Sequence, residues 1–135
     1  MGKRPLVRRR GRGGMQFRAS TTGKIAQAKY PSYSLSEQHE GQVIDLIHER
    51  GRDAPLAKVK FEDGLISLIP AVIGTIVGSK IKFGLQSEIT DGNIISIQNI
   101  PDGTIVCNLE KQFGDGGKIV KSAGASATVF SHGDE

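Results

Sequence analysis

From residue 41 onward the chain is built of short apolar or alternating runs, each closed by a turn signal. Residues 55–61 (PLAKVKF) alternate cleanly, with Ala57, Val59 and Phe61 on one face and Lys58 and Lys60 on the other. That period of two is the mark of a half-buried strand. Glu62-Asp63-Gly64 carries the Asp-Gly signal of a hairpin turn, and residues 65–69 form the return strand, closed by Pro70. Residues 42–49 (QVIDLIHE) mix aliphatic and polar positions as a preceding strand does. Residues 71–77 are apolar but are broken by Gly74 and bounded by Gly78, which predicts a loop. Residues 80–83 read as a fourth strand, and residues 94–98, after the turn Asp91-Gly92-Asn93, as a fifth. Five short strands in about sixty residues predict a small closed barrel of OB type, with an SH3-like barrel or an open meander as the competing arrangements.

Beyond Pro101-Asp102-Gly103 the texture changes. Residues 104–110 (TIVCNLE) are strand-like, residues 111–118 (KQFGDGGK) form a glycine-rich loop with basic flanks, and residues 119–121 and 127–131 read as two more strands. Three strands do not close a barrel, so this second unit is expected to be partial and to leave an unpaired edge. The chain therefore divides into residues 1–37, 38–103 and 104–135, a mainly β protein preceded by an arm. Eighteen glycines and no tryptophan agree with a turn-rich β chain rather than a helix bundle.

Charge explains the arm. Residues 1–36 hold nine Lys/Arg (Lys3, Arg4, Arg8, Arg9, Arg10, Arg12, Arg18, Lys24, Lys29) and no acid, whereas the rest holds the other nine bases and all fourteen acids. The arm is poor in aliphatic residues and cannot offset its own ordering entropy, so it is expected to be disordered until bound. A cationic arm on a mildly acidic body points to a polyanion, because each neutralised phosphate releases counterions. Glycines within Arg8-Arg9-Arg10-Gly11-Arg12-Gly13-Gly14 permit close backbone approach, and Phe17, Tyr30 and Tyr33 are spaced to stack on unpaired bases. The arm has no amphipathic period, which argues against a membrane surface.

Other chemistry recedes on inspection. No apolar run reaches 18 residues, so no transmembrane helix is expected. The start lacks the apolar core of a secretory signal, and Leu6 breaks the myristoylation pattern. A single cysteine, Cys107, forms no internal disulfide, and a reducing cytoplasm is the default. Cys107 lies in an apolar strand-like run without ligand or base spacing to His39, His48 or His132, so neither a nucleophile nor a metal site is expected. No catalytic residue, cofactor or small-molecule substrate is indicated. The carboxylates Glu49, Asp53, Glu62 and Asp63 form no acid/base pair and are read as solvated. Gly114-Asp115-Gly116-Gly117-Lys118 fails both the phosphate-loop and the dinucleotide patterns, since Gln112 lacks the first glycine of one and Ile119 stands where each needs another residue. A turn with amides and a lysine able to meet one backbone phosphate remains.

Met1-Gly2-Lys3-Arg4, Arg10-Gly11-Arg12-Gly13, Phe17-Arg18, residues 41–45, APLAKVKFED at 54–63, Asp91-Gly92-Asn93 and IPDG at 100–103 run in order along the chain. The densest stretch is residues 104–110, then Gly114 to Lys118 and Ser122-Ala123-Gly124. Together these resemble the amino-terminal half of the family of ribosomal protein two of the large subunit, in its archaeal and eukaryotic form. The resemblance implies an OB-fold barrel after the arm and then an SH3-like barrel. It implies binding to large-subunit ribosomal RNA near the peptidyl-transferase region, contact with other ribosomal proteins, a role in subunit association, and no enzymatic activity. It also implies that Lys111, Gly114, Gly116, Gly117, Lys118, Lys121 and Ser122 face RNA alongside the arm. The family's later glycine- and histidine-rich extension has no counterpart here, so His132 does not stand for its functional histidine.

Overall fold

The computed structural model describes residues 2–3, 5, 7, 10–34, 36–85 and 87–133. Its main sheet has four antiparallel strands: β1 (His39–Ile47), β2 (Leu56–Phe61), β3 (Ile66–Pro70) and β4 (Lys80–Phe83). Their order across the sheet is β3-β2-β1-β4. The alternation seen in the sequence decides the faces. Ala57, Val59 and Phe61 turn inward with Val43, Ile69, Ile81 and Phe83, while Lys60 stands exposed on the other side. Asp63 caps the β2–β3 turn by accepting from the Leu65 amide at 3.0 Å. Gly41 is fixed by packing: a Cβ there would lie 2.7 Å from Val59 Cγ1 and 2.9 Å from Phe61 Cδ1. A bulge between Val43 and Asp45 shifts the β1–β2 register by one residue.

The fifth strand expected at residues 94–98 is absent from the described fold. Ile94 makes a single parallel bridge to Phe83, and Ile97–Asn99 forms a 3₁₀ turn. Asn93 is the cause. Its side-chain Oδ1 takes the Lys82 amide at 2.9 Å, a position a backbone carbonyl would fill in a continuing ladder. Its Nδ2 is held by Glu88 O and Thr90 Oγ1. The main sheet is therefore open, with no strand joining β4 to β3 among the described residues.

The second unit is also lighter in strand than expected. β5 (Ile105–Val106) pairs with β6 (Ala127–Thr128), and a reciprocal backbone pair joins Leu109 and Ile119. Residues 110–118 hang from that pair as a loop. Val120 adopts a left-handed φ of +55°, unusual for a β-branched residue, and its carbonyl accepts from Asn108 N at 2.9 Å.

The arm departs from expectation most. Every described side chain from residue 10 to 22 is exposed, with one 3₁₀ turn at Met15–Phe17. Residues 23–33, in contrast, lie against the body rather than standing apart from it. Gly23 O accepts from Arg50 N, and the Ile25 amide donates to the Glu49 carboxylate at 3.1 Å. Lys29 N donates to Leu68 O at 3.0 Å, covering the free edge of β3, and Ser67 Oγ donates back to Lys29 O at 2.7 Å. Ala28 and Pro31 are buried, and Tyr30 and Tyr33 pack on the core of the sheet. The basic, aliphatic-poor composition of the arm concealed four apolar side chains whose burial offsets the cost of ordering this stretch.

Candidate nucleic-acid interface

The expected RNA-facing residues fall into three groups. Arg4, Arg8 and Arg9 lie outside the described residues. Lys3, Arg10, Arg12, Phe17, Arg18, Lys24, Lys29 and Lys111 are exposed and free of carboxylate partners among the described residues. The Arg10 guanidinium sits 6.0 Å from the Phe17 ring centroid, and Arg18 reaches back to Gly13 O at 3.5 Å. Such a run of solvated cations next to a planar ring suits a flexible polyanion with unstacked bases.

The third group has internal employment. Tyr30 does not offer its ring to bases. It packs on the core, and its hydroxyl donates to Asn108 O at 2.7 Å, with burial pushing its pKa far up. Tyr33 is likewise spent: it stacks on His39 at 3.7 Å, meets Phe61 and Phe83 edge-on, and donates to Asp63 at 2.6 Å. The Lys121 ammonium donates to Ala28 O at 2.6 Å and Gly117 O at 3.2 Å, and burial lowers its pKa. Lys118 is exposed but paired with Asp115 at 3.1 Å, which holds the Asp115 carboxyl below its ordinary value. Ser122 is exposed, and its carbonyl closes a turn with Ala125.

The glycine loop is organised by a carboxylate of its own. Glu110 accepts from Gly116 N at 2.7 Å and from Gly114 N at 3.3 Å. Asp115 accepts from Gln112 N at 3.2 Å, and Lys118 N donates to Leu109 O. These amides, which could have met a phosphate, are satisfied from within. Gly116 and Gly117 are buried, so they supply room rather than free donors. A Cβ on Gly116 would lie 2.8 Å from Lys29 Cβ, and one on Gly117 would overlap the Asn108 amide. Asn108 is buried and its Oδ1 has no hydrogen-bond partner among the described residues. Lys29 and Lys111, both exposed, stand on either flank of this loop as its unpaired cations.

Residues to which the sequence reading gave no structural role matter here. Glu49, read as a solvated carboxylate, is 5% exposed, bonds Arg52 Nε at 2.7 Å and receives the Ile25 amide. Arg52 and that amide hold its carboxyl below the ordinary value. Ser67 and Asn108 complete the set of buried polar anchors. Each accepts or donates to a residue far away in the chain, so no local pattern marks it. Cys107 is exposed and lies in a cleft of about 740 Å³ whose walls include Ile94, Ile100, Val106, Phe113 and Ile119. Desolvation pushes its thiol up. Two of the three histidines are engaged elsewhere, His39 on Tyr33 and Glu37 and His132 on Asp102 and Ile97, and His48 is exposed. No group of three metal-ligating side chains, and no helix long and apolar enough to cross a membrane, occurs among the described residues.

The chain thus presents an exposed cationic arm beside small β units, and the comparisons find it similar to large-subunit ribosomal proteins. Residues 90–135 match the family described as Ribosomal Proteins L2, C-terminal domain. Over 134 residues, 99% of its length, the chain is 76% identical to large ribosomal subunit protein uL2 of Cenarchaeum symbiosum. It is 72% identical to uL2 of Nitrosopumilus maritimus over 100% of its length, and 44% identical to uL2 of Sulfurisphaera tokodaii over 96%. The resemblance to the amino-terminal half of ribosomal protein two is thereby shown. The chain spans about half the length of these relatives, 55%, 56% and 53% respectively.

Proposed function

We propose that the chain is a structural, non-enzymatic component of the large ribosomal subunit. It binds ribosomal RNA near the peptidyl-transferase region, contacts other ribosomal proteins, and supports subunit association and translation in the cytoplasm. The observation that carries this reading is the arm: nine bases and no acid in residues 1–36, in a chain 76% identical to an archaeal uL2. The arm's exposed cations provide affinity through phosphate neutralisation, and phosphate contacts position a protein without reading sequence. The described part of the interface comprises Lys3, Arg10, Arg12, Phe17, Arg18, Lys24, Lys29, Lys111 and Lys118, with Arg4, Arg8 and Arg9 as further cations of the same run.

In this reading residues 38–103 are an OB-type barrel and residues 104–135 the start of an SH3-like one. The order β3-β2-β1-β4 supports the first assignment, since it matches the strand order of a five-stranded barrel without the strand between β4 and β3, and Ile94 bridges to β4. Sedimentation tests the function. The tagged chain is expected to travel with large subunits at moderate salt and to be released as salt rises. A chain that stays at the top of the gradient yet binds single-stranded oligonucleotides would be a free nucleic-acid-binding module instead.

A further inference from the structure

Lys121 is the one cation of the glycine-loop region whose ammonium points inward. It joins carbonyls from two distant segments, Ala28 at 2.6 Å and Gly117 at 3.2 Å. Around the same point Tyr30 N donates to Gly116 O at 3.2 Å and Tyr30 Oη donates to Asn108 O at 2.7 Å. One residue earlier, Lys29 is bonded through both its amide and its carbonyl to β3. Three residues, 28 to 30, thus touch the main sheet on one side and the second unit on the other.

We propose that Lys121 is a positioning residue, the pin that fixes the strap Ala28-Lys29-Tyr30 between β3 and the glycine loop, and that it makes no phosphate contact. The inference rests on the RNA-binding reading for its consequence but not for its geometry. Lysine suits the role because a single ammonium can donate to two carbonyls at once, and the charge-assisted bonds are stronger than neutral ones. Two exposed cations depend on the pin. Lys29 is in the strap itself, and its side-chain carbons lie over Gly116. Lys111 opens the loop that Gly116 and Gly117 close. With the pin in place these cations keep a set spacing, so RNA meets a preformed pair rather than two wandering side chains.

The test uses the full chain, with Lys121→Met removing the donors while keeping the stem. Amide exchange in the absence of RNA is read first. Protection of Tyr30 is expected to fall about tenfold or more, with β1 to β4 unchanged. RNA binding is then measured with single-stranded RNA over a salt series. The slope of log affinity against log salt is expected to match that of the parent chain within error, with affinity down about three- to tenfold from lost preorganisation. Lys111→Met, the control, is expected to flatten the slope by about 0.7. A flattened slope in Lys121→Met with Tyr30 protection intact overturns the proposal, because Lys121 would then be a phosphate contact. Unchanged protection and unchanged affinity overturn it as well. If Lys121→Met loses protection throughout the sheet, Tyr30→Phe decides, since it removes only the bond to Asn108. Faster exchange at Tyr30 and Gly116 upholds the strap, and unchanged exchange overturns it. A parent chain without RNA affinity would refute the functional reading while leaving the exchange result to judge the pin.

Discussion

Asn108 and Gly117 meet at a point where one extra carbon has no place. Asn108 is buried with a left-handed φ of +52°, and Gly117, with φ of +87°, presents its Cα to the Asn108 amide. Gly117→Ala adds backbone strain to the overlap and is expected to cost more than about 2 kcal/mol, measured by denaturant unfolding. Gly114→Ala shares the positive φ but meets open space, so it should cost less, about 1 kcal/mol. His132 offers a second test at this scale. Its ring bonds Ile97 O at 3.0 Å and Asp102 at 2.7 Å, and these two acceptors raise its pKa above the ordinary 6.5. A raised folded value means that protonation and docking favour each other. The stabilisation is full below pH 6.5 and is lost as pH rises through the raised value. Exchange at the amides of residues 129–132 is therefore expected to be slower at pH 5.5 than the intrinsic pH dependence allows. Asp102→Asn should move the His132 titration, followed by NMR, downward.

At the level of elements, the sequence was readable where local rules governed and opaque where a distant side chain took over. The alternation of residues 55–61, the Asp-Gly turn and the glycine-broken 71–77 run gave β2, β3 and the loop before β4, because period, turn chemistry and burial all agree there. Residues 94–98 carry an equally apolar pattern, yet Asn93 diverts the Lys82 amide to its side chain and the ladder stops. The glycine loop was legible as a loop but not as one folded around Glu110, since that residue looked like the polar end of a strand. Its role yields a prediction. Glu110→Ala leaves the Gly114 and Gly116 amides without their acceptor and is expected to cost about 1–3 kcal/mol. Faster exchange at those two amides, with the β2–β3 hairpin unaffected, is the measurement that localises the loss.

For the molecule as a whole, charge counting located the arm but missed its anchorage. Nine bases without an acid outweigh Ile25, Ala28, Tyr30, Pro31 and Tyr33 in any average, and the residues that hold this stretch, Glu49, Asn108 and Lys121 among them, lie far along the chain. The arm accordingly has two parts with separable duties. Residues 1–22 hold seven of the nine bases, and those described from residue 10 onward make no bond to the body. Residues 23–33 hold two bases and connect the β1–β2 turn, β3 and the glycine loop through Glu49, Leu68, Gly116 and Asn108. Two deletions separate these duties. Removing residues 1–22 is expected to leave unfolding of the body within about 0.5 kcal/mol of the parent, because nothing packed is lost. It should flatten the RNA salt slope by as much as about 5, for seven phosphate contacts at roughly 0.7 each. Removing residues 1–33 exposes the β3 edge, strips Tyr30 and Tyr33 from the core, and leaves the Lys121 ammonium short of one acceptor. That chain should lose several kcal/mol and shed protection in residues 104–129 as well as in β3. Limited proteolysis of the parent without RNA gives the same division independently. Cuts are expected between Arg10 and Thr22, leaving a resistant fragment that begins near Gly23. A fragment that begins instead near residue 38, with residues 23–33 digested as fast as the rest of the arm, would show that the anchorage is too weak to matter in solution.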